Sequence, residues 1–379
     1  MLRRTFYSML MILALVSASK SASAHDSDID LDDHTLFIDT DDSHDAVIVR
    51  VKPDRPDKIE VLVLQFDNPF DLFSFASEEE AIDAADDFRD RDYDLDDVDF
   101  IDIRSFGGDD WLMIDSALDI PTKMVAGTGD DFVLGGSHDD EIWGDDENVT
   151  SGANGGEDTL YGHDGEDEIH GGPQDDYIHG GLKDDDLFGD DGLDTLLGHS
   201  GDDIMDGGNH DDIMNGGSDH DEMFGGAGDD EMDGGSGNDT MWGGADDDEM
   251  EGGNGDDEMH GEGGHDDLFG QDGQDDLYGE AGNDLLDGSF DGEIDLMVGG
   301  SGLDEFVNRY YENRTYTYYR AHYYYVPRVV VDGFRVRIVY ERQVVWVPVT
   351  GTYQYNFEVE IVQDYSNLDG DFFSPVEID

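Results

Sequence analysis

Between Ala126 and Asp287 the chain repeats itself every nine residues, a constraint few folds can satisfy. Eighteen consecutive windows run through that stretch without a gap. "GGAGDDEMD" (225–233) and "GGSGNDTMW" (234–242) display the unit: glycines first, aspartate sixth, one large apolar residue eighth. Glycine at this density excludes a conventional helix, where each one costs about 1 kcal/mol relative to alanine. A fixed short period predicts instead a solenoid whose units stack on their neighbours.

The frame is strict. Its sixth position is aspartate in seventeen windows: Asp131, Asp140, Asp158, Asp167, Asp176, Asp185, Asp194, Asp203, Asp212, Asp221, Asp230, Asp239, Asp248, Asp257, Asp266, Asp275 and Asp284. The eighth is Val133, Ile142, Leu160, Ile169, Ile178, Leu187 and Leu196, then methionine in seven successive windows from Met205 to Met259, then Leu268, Leu277 and Leu286. Only "GDDENVTSG" (144–152) breaks both rules while keeping the length. A two-residue insertion near Phe290 to Glu293 shifts the frame, and "GGSGLDEFV" (299–307) restores it with Asp304 and Phe306. Six residues of turn and three of strand would make one side of a flattened coil. Two windows then complete a coil, residue i lies over residue i+18, and the eighth residue points inward.

Charge decides what must accompany such a stack. The chain of 379 residues carries 98 acidic and 19 basic residues, a formal charge of −79. That excludes nucleic acid as a partner, because phosphate recognition needs a positive surface. Stacked aspartates repel one another, and a single buried apolar residue per window is a thin core, so a cation is required. Each turn offers one hard carboxylate and several backbone carbonyls, the donor set of calcium, which takes six to eight oxygens in flexible geometry. Magnesium demands tighter octahedra, and zinc favours His or Cys; the chain has no cysteine. The expectation is therefore multiple Ca2+ ions. Each would sit between sixth-position aspartates eighteen residues apart, with Asp304 included. Fifth-position acids such as Asp229 and Asp256 read as a solvated edge. Nine histidines lie between 138 and 265 and read as turn or surface fillers, with His170 and His179 on opposite faces.

The windows match Gly-Gly-x-Gly-x-Asp-x-large-x and resemble the nonapeptides of RTX (repeats-in-toxin) hemolysin-type calcium-binding proteins. The resemblance covers residues 126–307. It implies an all-β fold, a right-handed parallel β-roll that folds on calcium, with the sixth-position aspartates and turn carbonyls as ligands. The family pattern calls for glycine at the fourth position, where this chain has His138, Gln174, Lys183, His210, Asp219 and Asp246. Those turns are expected to hold their ions less tightly.

The remaining chain divides into three parts. Residues 1–24 combine Arg3 and Arg4, an apolar run from Met9 to Val16 and Ala22-Ser23-Ala24, the order of a cleavable secretory signal peptide. No membrane span is expected once it is removed. Residues 25–125 read as an N-terminal β-rich cap, with a capping box at Ser77 and Glu80 predicting a short helix over 81–88. Within the cap, "VDFIDIRSFGGDDWLMID" (98–115) reads as strand, turn and strand, a degenerate copy of the repeat. Residues 308–379 hold 7 arginines and 12 of the 17 tyrosines. They read as an antiparallel β region with hairpins at Asp332-Gly333 and Thr350-Gly351 and an aromatic face around Tyr316, Tyr318, Tyr323 and Tyr325.

No Gly-x-Ser-x-Gly, zinc-protease or phosphate-loop motif occurs in the sequence. The reading is a secreted, extracellular, calcium-folded structural or adhesive element, not an enzyme, with cell-surface, glycan or matrix components as partners. The alternative is a small secreted hydrolase or toxin-like effector whose activity resides in the flanking regions.

Overall fold

The computed structural model describes residues 29–40, 44–66, 85, 89–146, 155–289 and 295–307, and the backbone alone of 28, 87–88 and 308–312 and of strands at 315–323, 328–332, 335–339, 344–348 and 361–363. Two compact units divide the chain, Met1–Leu196 and Leu197–Asp379. The only helical element among the described residues is the single 3-10 turn Leu95–Asp97, and no helix there is long and apolar enough to cross a membrane. The fold is all-β.

The first unit begins antiparallel and continues parallel. β1 (Asp28–Asp32) pairs with β2 (Thr35–Asp39) through Asp33 and His34, both at positive φ (46° and 68°), the two-residue turn that matches strand twist. β3 (His44–Lys52), β4 (Arg55–Phe66) and β5 (Asp87–Asp94) form an antiparallel meander at the end of a second sheet. β6 (Phe100–Arg104), β7 (Trp111–Ile114), β8 (Thr122–Val125), β9 (Phe132–Leu134), β10 (Asp140–Trp143), β11 (Thr159–Asp164), β12 (Glu168–Pro173), β13 (Tyr177–Leu182) and β14 (Asp186–Asp191) then alternate between the two sheets. Every pairing in this series is parallel, beginning with β2 beside β6 and β3 beside β7. Parallel stacking therefore starts well before Ala126, on the strand-turn-strand segment that the sequence marks as a degenerate repeat.

The register obeys the period. Leu160 pairs with Ile178 and Ile169 with Leu187, eighteen residues apart. Across the broken window the offset becomes 27, with Val133 beside Leu160 and Ile142 beside Ile169. One window length is thus bypassed without loss of register. Joining Gly144 to Asn154 would read "GNGGEDTLY", a regular unit, so residues 145–153 form an insertion inside a window.

The second unit repeats the plan. Its first sheet stacks Ile204–Asn209, Glu222–Ala227, Thr240–Ala245, Glu258–Gly264, Asp276–Tyr278 and Leu296–Val298 in parallel. The other sheet stacks Ile213–Ser218, Glu231–Ser236, Glu249–Asn254, Asp267–Asp272, Leu285–Asp287 and Asp304–Glu312. Most of these strands span six residues rather than the three expected, because positions two and three of the next window join the ladder, as Gly226 with Gly244 and Ala227 with Ala245 show. The two-residue insertion lengthens one step, so that Leu277 pairs with Met297.

Beyond the repeats, Asp304–Glu312 turns back antiparallel on Thr315–Tyr323, and 328–332, 335–339 and 344–348 form a three-stranded antiparallel sheet. Asp332 pairs with Arg335, so Asp332 belongs to the strand rather than to the expected Asp332-Gly333 turn. Ile361–Gln363 pairs in parallel with Leu296–Val298, a departure from a wholly antiparallel C-terminal region. The 81–88 helix expectation falls mostly outside the described residues, but Asp87 and Phe88 open β5. The signal peptide, the Thr350-Gly351 turn and the tyrosine side chains at 316, 318, 323 and 325 also lie outside the described residues.

Both units bury the eighth-position column. Val133, Ile142, Leu160, Ile169, Ile178, Leu187 and Leu196 in the first, and Met205 to Met259, Leu268, Leu277 and Leu286 in the second, are at most 1 % exposed. The turns place positive φ at most second positions and at several fourth positions. Gly226 (106°) and Gly228 (145°) supply it freely, but Gln174, Lys183, His210, Asp219 and Asp246 adopt φ between 75° and 88° at a steric cost. These five fourth-position departures keep the left-handed turn conformation, whereas His138 does not adopt it.

Candidate metal centre

Each sixth-position aspartate lies one residue before the strand that carries its inward apolar neighbour, or opens that strand as Asp140 and Asp304 do, so its side chain enters the coil where the turn meets the core. Every one of the eighteen expected site residues, Asp131 through Asp284 and Asp304, is buried, none more than 3 % exposed.

Their carboxylates are joined by backbone. In the second unit the N–H of Asp203 donates to Oδ1 of Asp221, Asp221 to Asp239, Asp239 to Asp257, Asp257 to Asp275 and Asp275 to Asp295, at 2.8–3.1 Å. A second column runs Asp212, Asp230, Asp248, Asp266, Asp284, Asp304, at 2.8–3.3 Å. The first unit has the same pair of columns. One runs Asp45, Asp110, Asp131, Asp158, Asp176, Asp194 at 2.6–2.8 Å. The other runs Thr122, Asp140, Asp167, Asp185 at 2.8–3.0 Å. Each Oδ1 satisfies an amide that the tight turn strips of an ordinary ladder partner.

That leaves the second oxygen. Oδ2 of Asp131, Asp158, Asp167, Asp176, Asp221, Asp230, Asp239, Asp248, Asp257, Asp266, Asp284 and Asp304 is buried with no hydrogen-bond partner. An unpaired buried carboxylate oxygen is costly, and in so regular an array it marks a missing partner. Asp140 differs, since its Oδ2 accepts the Gly136 N–H at 2.6 Å.

Electrostatics agree. Burial pushes the Asp221, Asp248 and Asp284 carboxyls up to about 8, and those of Asp230, Asp257, Asp266 and Asp304 up to about 6, against an ordinary 3.8. The donated amide pulls each the other way without restoring it. Asp167 and Asp194 reach about 7, and Asp176, with Asp158 adding its charge, about 10.

The residues fit a hard cation. A Cβ placed on Gly234 would stand 2.6 Å from Oδ2 of Asp239 and 2.7 Å from the Gly252 carbonyl oxygen. Gly252, with Asp257 Oδ2 at 2.5 Å and the Gly270 carbonyl at 2.9 Å, repeats the arrangement. The first glycine of a window thus makes room for an orphaned carboxylate oxygen and a carbonyl of the next coil to converge. Oxygens alone, one charged and the others neutral, are a calcium donor set. Side chains by themselves do not assemble such a site in the turns. Among the described residues, the acidic group close enough to hold an ion without backbone help is Glu60, Asp90 and Asp92. There Arg50 and Lys52 already pair with Glu60, and Lys52 with Asp92.

Sequence reasoning missed Asp45, Asp110, Thr122 and Asp295 in these columns, a further buried aspartate and one ladder. Asp110 and Asp295 occupy sixth-position places; the signal was present, since each precedes a buried apolar residue, Leu112 or Met297, by two. Asp145, inside the insertion, is buried as well. The fifth position is exposed, as expected, yet it forms its own ladder running the opposite way. There the N–H of Asp247 donates back to Asp229 and that of His265 back to Asp247. His220 and His265 take aspartate's place in it, accepting the amides of Asn238 and Asn283 on Nδ1. His170 and His179 lie on different sheets, and His170 stacks between Trp143 and Phe188.

Compared with known families, the chain matches the model described as RTX calcium-binding nonapeptide repeat (4 copies) at residues 123–150, 152–187, 179–214, 188–223, 224–259, 260–292 and 269–306. No curated protein matches it.

Proposed function

Residues 123–306 are RTX hemolysin-type calcium-binding nonapeptide repeats, and on that premise we propose that this chain is a secreted protein whose roll is completed by calcium and which serves as an extracellular structural or adhesive element. The observation that carries the calcium part is the array of buried, unpartnered Oδ2 atoms facing glycine carbonyls. Asp131, Asp158, Asp167, Asp176, Asp221, Asp230, Asp239, Asp248, Asp257, Asp266, Asp284 and Asp304 are the side-chain ligands in this reading, with first-position glycine carbonyls beside them. Calcium supplies charge neutralisation and cross-linking of successive coils; the chain itself supplies spacing. Sites of this extracellular kind bind at about 10⁻⁴–10⁻³ M, so the roll assembles where calcium is millimolar and stays open where it is scarce.

Three observations support the secreted and non-catalytic part. The first 24 residues read as a signal peptide, calcium is abundant outside cells, and the sequence carries none of the nucleophile or phosphate-loop motifs sought. Circular dichroism and small-angle scattering on residues 25–379, titrated with calcium and separately with magnesium, test the folding. A cooperative coil-to-β transition with compaction near about 0.1–1 mM calcium, absent with magnesium, is expected. A fold indifferent to chelator would overturn the reading. Attachment to cells, glycans or matrix that vanishes with chelator tests the adhesive role.

A further inference from the structure

The insertion at 145–153 interrupts the frame, yet its first residue does not go to solvent. Asp145 is 3 % exposed, and neither of its carboxylate oxygens has a hydrogen-bond partner. A Cβ on Gly155 would collide with both Asp145 Oδ2 and the Pro173 carbonyl oxygen, so the two oxygens converge on one glycine. Gly172 crowds the same carboxylate from the next coil, its added Cβ 2.8 Å from Oδ2. Pro173 contributes a carbonyl but has no N–H to offer, and the one donor near Asp145 among the described residues is the Gly156 backbone N–H, which offsets its burial only in part. Asp131, Asp158 and Asp176 feel its charge, and each is itself buried. Among the described residues no basic side chain pairs with it.

A doubly unpaired buried carboxylate beside further acids and a carbonyl is arranged for a cation. We propose that Asp145 is the side-chain ligand of an additional calcium site outside the nine-residue frame, built where the insertion leaves the roll and completed by the carbonyl oxygen of Pro173. The site ties Asp145 to the next coil through Pro173. This inference rests on the calcium reading of the repeats.

Calcium counting by equilibrium dialysis or native mass spectrometry on the full chain tests it, comparing wild type with Asp145→Asn and with Asp146→Asn, the exposed neighbour. Asp145→Asn is expected to bind one ion fewer, and Asp146→Asn the wild-type number. An unchanged count in folded Asp145→Asn overturns the inference and leaves the repeat sites standing. A wild type that binds no calcium overturns both. Should Asp145→Asn not fold, anomalous scattering from wild-type crystals grown with calcium decides. A peak about 2.3–2.6 Å from an Asp145 oxygen supports the site, and its absence there sinks it.

Discussion

The backbone N–H of Asp230 donates to Oδ1 of Asp248 at 3.0 Å, and Oδ2 of Asp248 remains buried and unpartnered. One oxygen of this carboxylate therefore caps the preceding coil, and the other is the atom that the proposed ion would meet.

Asparagine at 248 keeps the amide acceptor and removes the charge. Asp248→Asn is expected to raise the calcium midpoint of folding several-fold, a loss on the order of 1 kcal/mol, while Asp229→Asn, on the exposed fifth-position ladder, changes it little. Calcium titrations followed by circular dichroism read the difference. Equal shifts would mean that the sixth position is not the ligand column.

Without calcium, acid should substitute for it. The Asp221, Asp248 and Asp284 carboxyls are raised by burial from 3.8 to about 8, so the folded roll holds protons that the unfolded chain releases. The resulting stabilisation is fully present below about pH 3.8 and is lost as pH rises through about 6 to 8. In chelator, β-structure should therefore appear on acidification and vanish towards neutrality. In calcium the trend reverses, because protons compete for the same oxygens. A chelated protein equally unfolded at pH 4 and pH 8 would contradict this.

His210 occupies a glycine place at φ 85°, and across the turn a Cβ on Gly228 would strike the His210 backbone. His210→Gly should stabilise the calcium-loaded protein by about 1 kcal/mol by relieving the left-handed conformation. Gly228→Ala should destabilise it by about 2–3 kcal/mol. Thermal melts in saturating calcium would show opposite shifts.

Met232 sits buried between Met214 and Met250 in the inward column of its sheet. Met232→Ala is expected to cost about 2–5 kcal/mol, and Met232→Leu less than about 1.5 kcal/mol. Chemical denaturation at fixed calcium would separate them, and near-equal losses would argue that the column is loosely packed.

How much of this was legible in advance follows from where the period is intact. Where glycine, aspartate and one apolar residue recur at nine, the inward eighth position and the eighteen-residue offset could be read directly, as Met214 beside Met232 bears out. Where spacing fails, so did the reading. Asp110 lies 21 residues before its partner Asp131 and Asp295 lies 20 after Asp275, offsets that no fixed frame reaches. Asp145 was hidden because an inserted residue carries no positional signal at all. The fifth-position ladder was missed for another reason: a solvated acid and an acid accepting an amide look identical in one dimension.

A stack of like coils has no inherent length, and an open parallel edge invites another copy to continue it. In the first unit the stacking ends on β5, where "DFRDRDYD" sets Arg89, Asp90, Arg91 and Asp92 in succession and so puts charge on both faces of the edge strand. The other sheet ends on β1, "DIDLD", with an acid at every second residue. A second molecule docking on β1 would meet acid against acid, and one docking on β5 would strip hydration from alternating arginines and aspartates before gaining a single ladder bond. Charged edge strands of this kind oppose continuation of the stack into a fibre.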